Sequence, residues 1–440
     1  MKARLPLIAA LAGMLIPMKA SAQAWVSNRD FSDGVGIRAG NFELHPSIGA
    51  EGGYDSNYFR AASSENPIDV YKLRVTPSLT LSTLGERRSQ GAHTDVDFSL
   101  SGYLSYYWLF PVDSANSDVS KRNTFTAGAD TRVDLFRHRK VGFDLNGGYL
   151  RVTDAEGNTD DIAGEGFTRD ALRGGAGITW RPGGGLFEWR NGYDITYHWF
   201  ESDRYKVFDN VYHRFDTRGR WRFLPRSALL FDSSYSLVRY THPNTTPQTD
   251  GDMVRTLVGF HGLVTYHLGL LGMLGWGSSF YEKGRSSVQP RQFDSVLANA
   301  EARWFIQSRP DLDSTVITSG LSSVAVGYQR SFSNSYYGSF YQRDRGYLQF
   351  SMFILGAVAG GLEFGVSRVA FPEAVTNTGM VNPAFSQTRI DSRAFAEYRI
   401  TETIAANATV QYDQASNEVI NDDDLGYKRF QAYLGARAFW

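Results

Sequence analysis

Apolar and polar side chains alternate, residue by residue, in segments that recur from residue 42 to the end of the chain. In one such segment, Phe187, Trp189 and Tyr193 alternate with polar residues that include Glu188 and Arg190. Successive side chains of a β-strand point to opposite faces, whereas a helical period of about 3.6 residues would mix the two sets. The pattern therefore predicts an all-β chain whose strands each have one apolar and one polar face.

Counting these segments predicts eighteen strands, with sixteen as the alternative. An even number of antiparallel strands brings both termini to the same side of a barrel. The predicted strands lie near residues 42–55, 69–82, 94–108, 123–136, 141–152, 170–181, 186–200, 210–224, 227–240, 252–266, 273–282, 293–306, 314–330, 339–354, 357–371, 387–400, 402–413 and 427–440.

The apolar faces predict a lipid environment. Because unpaired backbone groups are costly in hydrocarbon, only a closed sheet can cross a membrane with strands. The last predicted strand ends in an alternating run that stops at the aromatic residue Trp440. It resembles the C-terminal signal by which the assembly machinery of the outer membrane recognises its barrels. We therefore expect a transmembrane antiparallel up-and-down β-barrel of outer-membrane type, surrounded by outer-membrane lipid and lipopolysaccharide.

The N-terminus predicts secretion. Lys2 and Arg4 precede an apolar run over residues 5–17, and Ala20-Ser21-Ala22 forms a small-x-small cleavage site. These three parts in this order are typical of a signal peptide. The predicted organisation is a signal peptide over residues 1–22, a short periplasmic segment over residues 23–40 and a single barrel over residues 41–440, located in a Gram-negative outer membrane.

Charged residues dominate the predicted inner face. Arginine recognises carboxylates and phosphates with two parallel hydrogen bonds, so a row of inward arginines can guide an anion. The alternative is that these charges solvate the pore and pair with Asp130, Asp134, Glu188, Asp194, Asp391 or Glu397. The predicted pore-lining track is Arg214, Asp216, Arg218, Arg220, Arg222, Arg343, Arg345, Arg389, Arg393 and Arg399.

Composition argues against several other functions. The chain has no cysteine, and its eight histidines form no pair with metal-ligand spacing, so neither a metal site nor a cofactor is expected. No motif indicates a catalytic nucleophile, and we expect no enzyme activity. The net charge of −1 gives no general attraction to nucleic acid.

The first predicted strand and its turn resemble a known family. Residues 33–48 read DGVGIRAGNFELHPSI, and residues 52–59 read GGYDSNYF. This combination is similar to the start of the putative β-barrel porin 2 family, in which a G-x-R-x-G-x-F-x-L-x-P strand leads into a G-x-Y-D-x-N turn. The motif residues themselves look structural, with Asp55 and Asn57 shaping the turn. The resemblance implies an outer-membrane component of exopolysaccharide or capsule export.

Three functions follow from these patterns. The first is an export pore for an anionic polysaccharide, acting with periplasmic polysaccharide-export proteins. The second is a passive or anion-preferring diffusion porin for small solutes, and the third is a plugged barrel with a structural or adhesive role. A diffusion porin usually has a long loop folded into its lumen, and the acidic segment Thr153–Arg169 is the candidate.

Overall fold

Eighteen long strands form the barrel in the described part of the chain. The computed structural model describes residues 36–62, 66–84, 95–113, 119, 124–153, 168–203, 205–242, 249–282, 292–306, 322–335, 339–354, 357–375, 381–416, 419–420, 423–424 and 426–440. The strands are β1 (Phe42–Asp55), β2 (Val70–Thr83), β3 (Val96–Pro111), β4 (Thr124–Leu135), β5 (Val141–Thr153), β6 (Thr168–Trp180), β7 (Phe187–Phe200), β8 (Asn210–Leu224), β9 (Ser227–Tyr240), β10 (Gly251–Leu263), β11 (Leu268–Tyr281), β12 (Asp294–Phe305), β13 (Ser323–Asn334), β14 (Phe340–Ile354), β15 (Val358–Phe371), β16 (Phe385–Arg399), β17 (Ile404–Ala415) and β18 (Tyr427–Phe439).

The sheet is closed by its first and last long strands. Each of the eighteen strands pairs antiparallel with its neighbours in sequence, and β18 pairs with β1 from Ser47↔Phe439 to Asp55↔Gln431. The short strand Ile37–Ala39 pairs antiparallel with the start of β1, from Ile37↔Leu44 to Ala39↔Phe42. The predicted fold class and the count of eighteen are confirmed, and the alternative of sixteen strands is wrong.

The outer surface of the barrel is apolar. Val326, Leu274 and Leu434 lie on outward-facing positions of three strands and are 58%, 66% and 71% exposed. Alternate positions hold polar side chains that are buried against the inner wall, such as Glu51 and Arg74 at 2% and 4%. Large apolar side chains without a protein neighbour are stable where lipid covers them, as in transmembrane barrels. No helix in the described part is long and apolar enough to cross a membrane.

Connections between strands differ in length on the two sides. On the side of the termini, six of the eight connections have two to six residues, as between β8 and β9, while those after β2 and β12 have 12 and 17. On the opposite side most connections have about ten residues, as between β9 and β10. Short turns on one side and long loops on the other are typical of outer-membrane barrels, whose short turns face the periplasm.

The observed strands lie within a few residues of the predicted ones, with one larger shift. A strand was expected over residues 314–330, whereas β13 spans Ser323–Asn334. Residues 314–321 of the predicted strand lie outside the described residues, and β13 begins at Ser323, which pairs with Phe305, and ends four residues after the predicted end. The signal peptide over residues 1–22 and residues 23–35 of the periplasmic segment lie outside the described residues.

Candidate functional site

The predicted track residues lie on strand faces that point into the lumen. On β8, Phe215 and Trp221 face outward at 48% and 53% exposure, while Asp216 and Arg220 face inward at 4% and 8%. The same alternation turns the remaining members inward on β8, β14 and β16; these are Arg214, Arg218, Arg222, Arg343, Arg345, Arg389, Arg393 and Arg399.

Counterions on neighbouring strands neutralise part of the β8 row. Arg190 on β7 lies 2.7 Å from a carboxylate oxygen of Asp144 and 2.8 Å from one of Asp216. Arg218 lies 3.3 Å from Asp216 and 3.6 Å from Asp232. This alternating network crosses β5, β7, β8 and β9, and in it Asp216 acts as a shared counterion.

A second group of charged side chains lies nearer the short-turn end of the barrel. Arg220 Nη2 donates a 3.0 Å hydrogen bond to Glu188 Oε2, and Arg181 Nε lies 3.3 Å from the same oxygen. One carboxylate is therefore shared by two arginines. Arg222, on the same row as Arg220, has a buried Nε without a hydrogen-bond partner among the described residues.

The arginines of β14 are also paired. Arg345 Nη2 lies 2.6 Å from Glu363 and 2.5 Å from Asp391, and Arg343 lies 3.8 Å from Asp391. On β16, Arg389 donates a 2.9 Å hydrogen bond to the side chain of Gln387, two residues earlier on the same strand. The guanidinium of Arg399 lies over the ring of Phe439, 5.2 Å from its centre.

The acidic residues expected as counterions are largely found in that role. Glu188 and Asp391 bind arginines as described above. Asp130 pairs with Arg173, Asp134 with Arg132 at 2.9 Å and Glu397 with Arg437 at 3.6 Å. Asp194 instead accepts a 3.2 Å hydrogen bond from Asn146.

Arg214, Arg222 and Arg393 make no close contact with a carboxylate in the described part of the chain. Each occupies an inward position on its strand. Two of them still lie near acidic residues, since Arg214 is opposite Asp194 and Arg393 is opposite Glu363 in the sheet.

The turn after β1 lies inside the barrel, a feature that the sequence only partly predicted. Asn57 donates to the carbonyl of Ala61 at 2.8 Å and accepts from its N–H at 2.9 Å. Asp55 accepts a hydrogen bond from the N–H of Asn57 at 3.2 Å. These contacts confirm the structural role expected for Asp55 and Asn57. Tyr58 follows and packs on the inward-facing Val70.

Asp55 also binds cations at the closure of the barrel. Its carboxylate lies 2.7 Å from Lys72 Nζ and accepts hydrogen bonds of 2.9 and 2.5 Å from Arg429. Gln431 adds a bond of 2.9 Å. The side chains of Asp55, Lys72 and Arg429 are 0%, 0% and 1% exposed. We call this group the seam cluster, because it joins β18, β1 and β2.

A second inner cluster, on the opposite wall, is apolar. It covers the inner wall of β9–β14 at the long-loop end and was not predicted, because two of its phenylalanines occupy positions that the alternation assigns to lipid. Its members are Val238, Tyr240, Met253, Tyr281, Phe293, Leu297, Phe332 and Phe340, with Tyr212 and Leu257 packed against them.

No group of three or more potential metal ligands occurs among the residues that the structure describes. A closed antiparallel barrel of eighteen strands, with an apolar outer face and a charged lumen, defines an outer-membrane β-barrel of the porin class.

Comparison with known proteins gives a match of part of the chain to one family. Residues 31–223 match the family described as Putative beta-barrel porin 2, which confirms the resemblance inferred from the opening strand and turn. A search of curated proteins found no match.

Solved structures of outer-membrane proteins have a similar fold at low sequence identity. OpdK of Pseudomonas aeruginosa, solved with vanillate, aligns over 90% of this chain and 99% of its own, with 10% identity and a TM-score of 0.46. OccK5 (OpdH) of the same organism aligns over 90% and 98%, with 9% identity and a TM-score of 0.44. The FrpB iron transporter of Neisseria meningitidis aligns over 96% and 83%, with 8% identity and a TM-score of 0.45.

Proposed function

We propose that this protein is a diffusion porin that favours small anionic solutes. The observation that supports it is the set of inward arginines, Arg214, Arg222 and Arg393, that have no carboxylate partner among the described residues. They lie at different heights of the lumen, since two occupy opposite ends of β8 and the third is central on β16. An anion entering the barrel therefore meets, at successive depths, arginines that are not held in a direct contact with a carboxylate.

Electrostatics sets the size of the expected preference. A unit charge about 8 Å from one arginine in water-like surroundings gains roughly 0.5 kcal/mol by Coulomb's law. That energy corresponds to about a twofold enrichment of a monovalent anion, and exclusion of cations adds a similar factor. Arginine also forms paired hydrogen bonds with carboxylates and phosphates, so organic anions should gain more than chloride.

Polysaccharide export, the first function expected from the sequence, has less support than diffusion. Aromatic rings that face the lumen beside the arginines would offer flat surfaces to sugars. Tyr347 instead lies against Gly327, where an added Cβ would be 2.3 Å from its Cζ. Its hydroxyl donates a 2.7 Å hydrogen bond to Glu301. This ring is held to the wall by both contacts.

Planar-bilayer recordings test the proposal. The purified barrel should conduct steadily, and the reversal potential in a potassium chloride gradient should show anion preference. The triple variant Arg214→Gln, Arg222→Gln, Arg393→Gln should lower the chloride-to-potassium permeability ratio by about fourfold, the product of the two factors. Arg368→Gln is the matched control, because Arg368 is an exposed arginine on the outer face of β15.

Two results would overturn the proposal. A wild-type barrel that does not conduct would favour the plugged structural barrel. If cells without the protein lose surface polysaccharide and regain it with the triple variant as well as with the wild type, export would replace diffusion.

A further inference from the structure

The end of the β13–β14 hairpin leaves the barrel wall. β13 pairs with β12 only up to Ala298↔Arg330, whereas its pairing with β14 continues to Asn334↔Phe340. The last residues of β13 are therefore held by β14 alone. The first residues of β12, from Asp294 onward, pair only with β11 at this height.

Phe332, in this free end, lies on the inner face of the neighbouring strands. Its ring stacks on Phe293 with 4.1 Å between the ring centres. Gly277, an inward position of β11, makes room for it, since an added Cβ would lie 2.4 Å from Phe332 Cε1. Arg255 on β10 lies over the same ring at 4.6 Å and donates a hydrogen bond to the carbonyl of Phe332.

Phe340 and Asn334, on the same face of the hairpin, make equivalent contacts. The ring of Phe340 lies 5.4 Å from Phe293 and 6.5 Å from Tyr281, and the Tyr281 hydroxyl donates a 3.1 Å hydrogen bond to Asn334. Phe332 and Phe340 are 1% and 8% exposed.

Lower in the same strands, this face of the hairpin meets lipid. Val326 on β13 and Leu348 on β14 lie on the same faces of their strands as Phe332 and Phe340, and they are 58% and 45% exposed. The end of the hairpin has thus moved inward, so that its outer face packs on the inner wall of β10–β12. Its other face, with Ser331, Ser333 and Tyr341, is turned towards the lumen.

The first turn of the chain narrows the lumen from the other side. In an eighteen-stranded barrel, strands nine apart in order face each other, so β2 lies opposite β11. Tyr58 packs on the inner face of β2 and β3, and Arg60 lies over the ring of Tyr427 on β18 at 5.8 Å. Two inward segments therefore oppose each other, and the arginine-bearing strands β8 and β16 flank the gap between them.

We propose that the β13–β14 hairpin end, seated over Gly277, forms the constriction that sets the size limit of the channel, opposite the first turn. This rests on the proposed function as a diffusion porin. The constriction expected on the loop Thr153–Arg169 falls on residues 154–167, outside the described residues. The aromatic contacts of the hairpin with β10, β11 and Phe293 determine its position in the lumen.

Conductance of cavity-filling variants tests this assignment. Gly277→Val should displace Phe332 and raise single-channel conductance by about 1.5- to 2-fold, because a barrel of this strand count is wide where nothing is folded into it. Gly272→Val is the matched control, since Gly272 faces outward on the same strand and nothing lies within 4 Å of an added Cβ. It should leave conductance unchanged.

Single cysteines give a second measurement, because the chain has no cysteine of its own. A bulky thiol reagent on Ser333→Cys should reduce conductance at least about twofold, since a wide barrel is limited by its constriction. The same label on Ser386→Cys, on the outer face of β16, should not.

The outcomes separate the two proposals. If the wild type conducts but both Gly277→Val and labelled Ser333→Cys behave as it does, the constriction lies elsewhere and diffusion stands. If the wild type is silent and Gly277→Val conducts, the hairpin closes the barrel and free diffusion is wrong. If the wild type and all variants are silent, both proposals are overturned.

Discussion

Replacing Asp55 by asparagine should weaken the closure of the barrel more than any surface substitution. The change keeps the shape of the side chain but removes the negative charge that binds Lys72 at 2.7 Å and Arg429 at 2.5 Å. All three side chains are 1% exposed or less, so water cannot replace the lost carboxylate. Two like charges would then remain together in the wall.

The structure sets the size of this effect. Removing one partner of a buried ion pair typically costs about 3–5 kcal/mol, because the other partner stays buried without compensation. The amide oxygen of the introduced asparagine can still accept one hydrogen bond, which favours the lower half of that range. Adding Lys72→Met to Asp55→Asn should recover part of the loss, since it removes one of the two stranded cations.

Equilibrium unfolding in urea, from detergent micelles or vesicles and followed by tryptophan fluorescence, measures the free energy of unfolding. Asp95→Asn is the matched control. Asp95 pairs with Arg139 at 2.5 Å, but both side chains are more than half exposed, so the loss should be at most about 1 kcal/mol. Equal losses for Asp55→Asn and Asp95→Asn would refute the argument that burial makes the seam cluster strong.

Three other substitutions have defined expectations. Gly53→Val should cost about 1–3 kcal/mol in urea unfolding, because an added Cβ lies 2.2 Å from Tyr433 Cδ1 across the seam; an unchanged midpoint would contradict this. Arg345→Gln should cost about 1.5–3 kcal/mol in urea unfolding, since the change removes the guanidinium that binds two carboxylates at 2.6 and 2.5 Å. A loss below about 0.5 kcal/mol, which is typical of a surface substitution, would contradict this expectation. Trp440→Ser should lower the yield of folded barrel in cells, measured by heat-modifiable mobility on gels. The free energy of unfolding of the refolded variant should change by less than about 0.5 kcal/mol, because the Trp440 side chain is 47% exposed and its backbone makes the contact with β1. Normal yield in cells would count against recognition of this residue by the assembly machinery.

The alternation of side chains was sufficient to predict the strands and their faces. A strand has a period of two, and a slip of one residue would turn every charged side chain towards lipid, so the pattern specifies the register strongly. β8 illustrates this, since its predicted and observed bounds agree at residues 210–224. The same alternation also placed all the predicted arginines on the inner face.

The sequence could not show which of those arginines are neutralised. Arg190 binds Asp144 and Asp216, which are 46 and 26 residues away along the chain. Such pairing depends on the relative stagger of neighbouring strands, which local patterns do not contain. Arg214 and Arg218 therefore look alike in sequence but differ in the structure.

The buried positions of Phe332 and Phe340 could not be predicted from the local sequence for another reason. Alternation shows which of the two faces of its strand a side chain occupies. It does not show whether that part of the strand lies in the barrel wall or inside it. When a hairpin end moves inside its neighbours, the outward face becomes a packing surface against the lumen wall. A cue was present in Gly277, whose missing side chain provides the space.

The closure of the barrel has a consequence for the order of folding. In the described sheet, all long-strand pairings except β18–β1 join strands that follow one another along the chain, so they close short loops and can form early. The hydrogen bonds between Arg429 and Asp55 instead join residues separated by 374 positions. They cannot form until the final strand has been synthesised, and until then both edges of the sheet remain open to pairing with other chains. A slow last step at this seam would make the interval before closure the time at which the protein is most prone to aggregate.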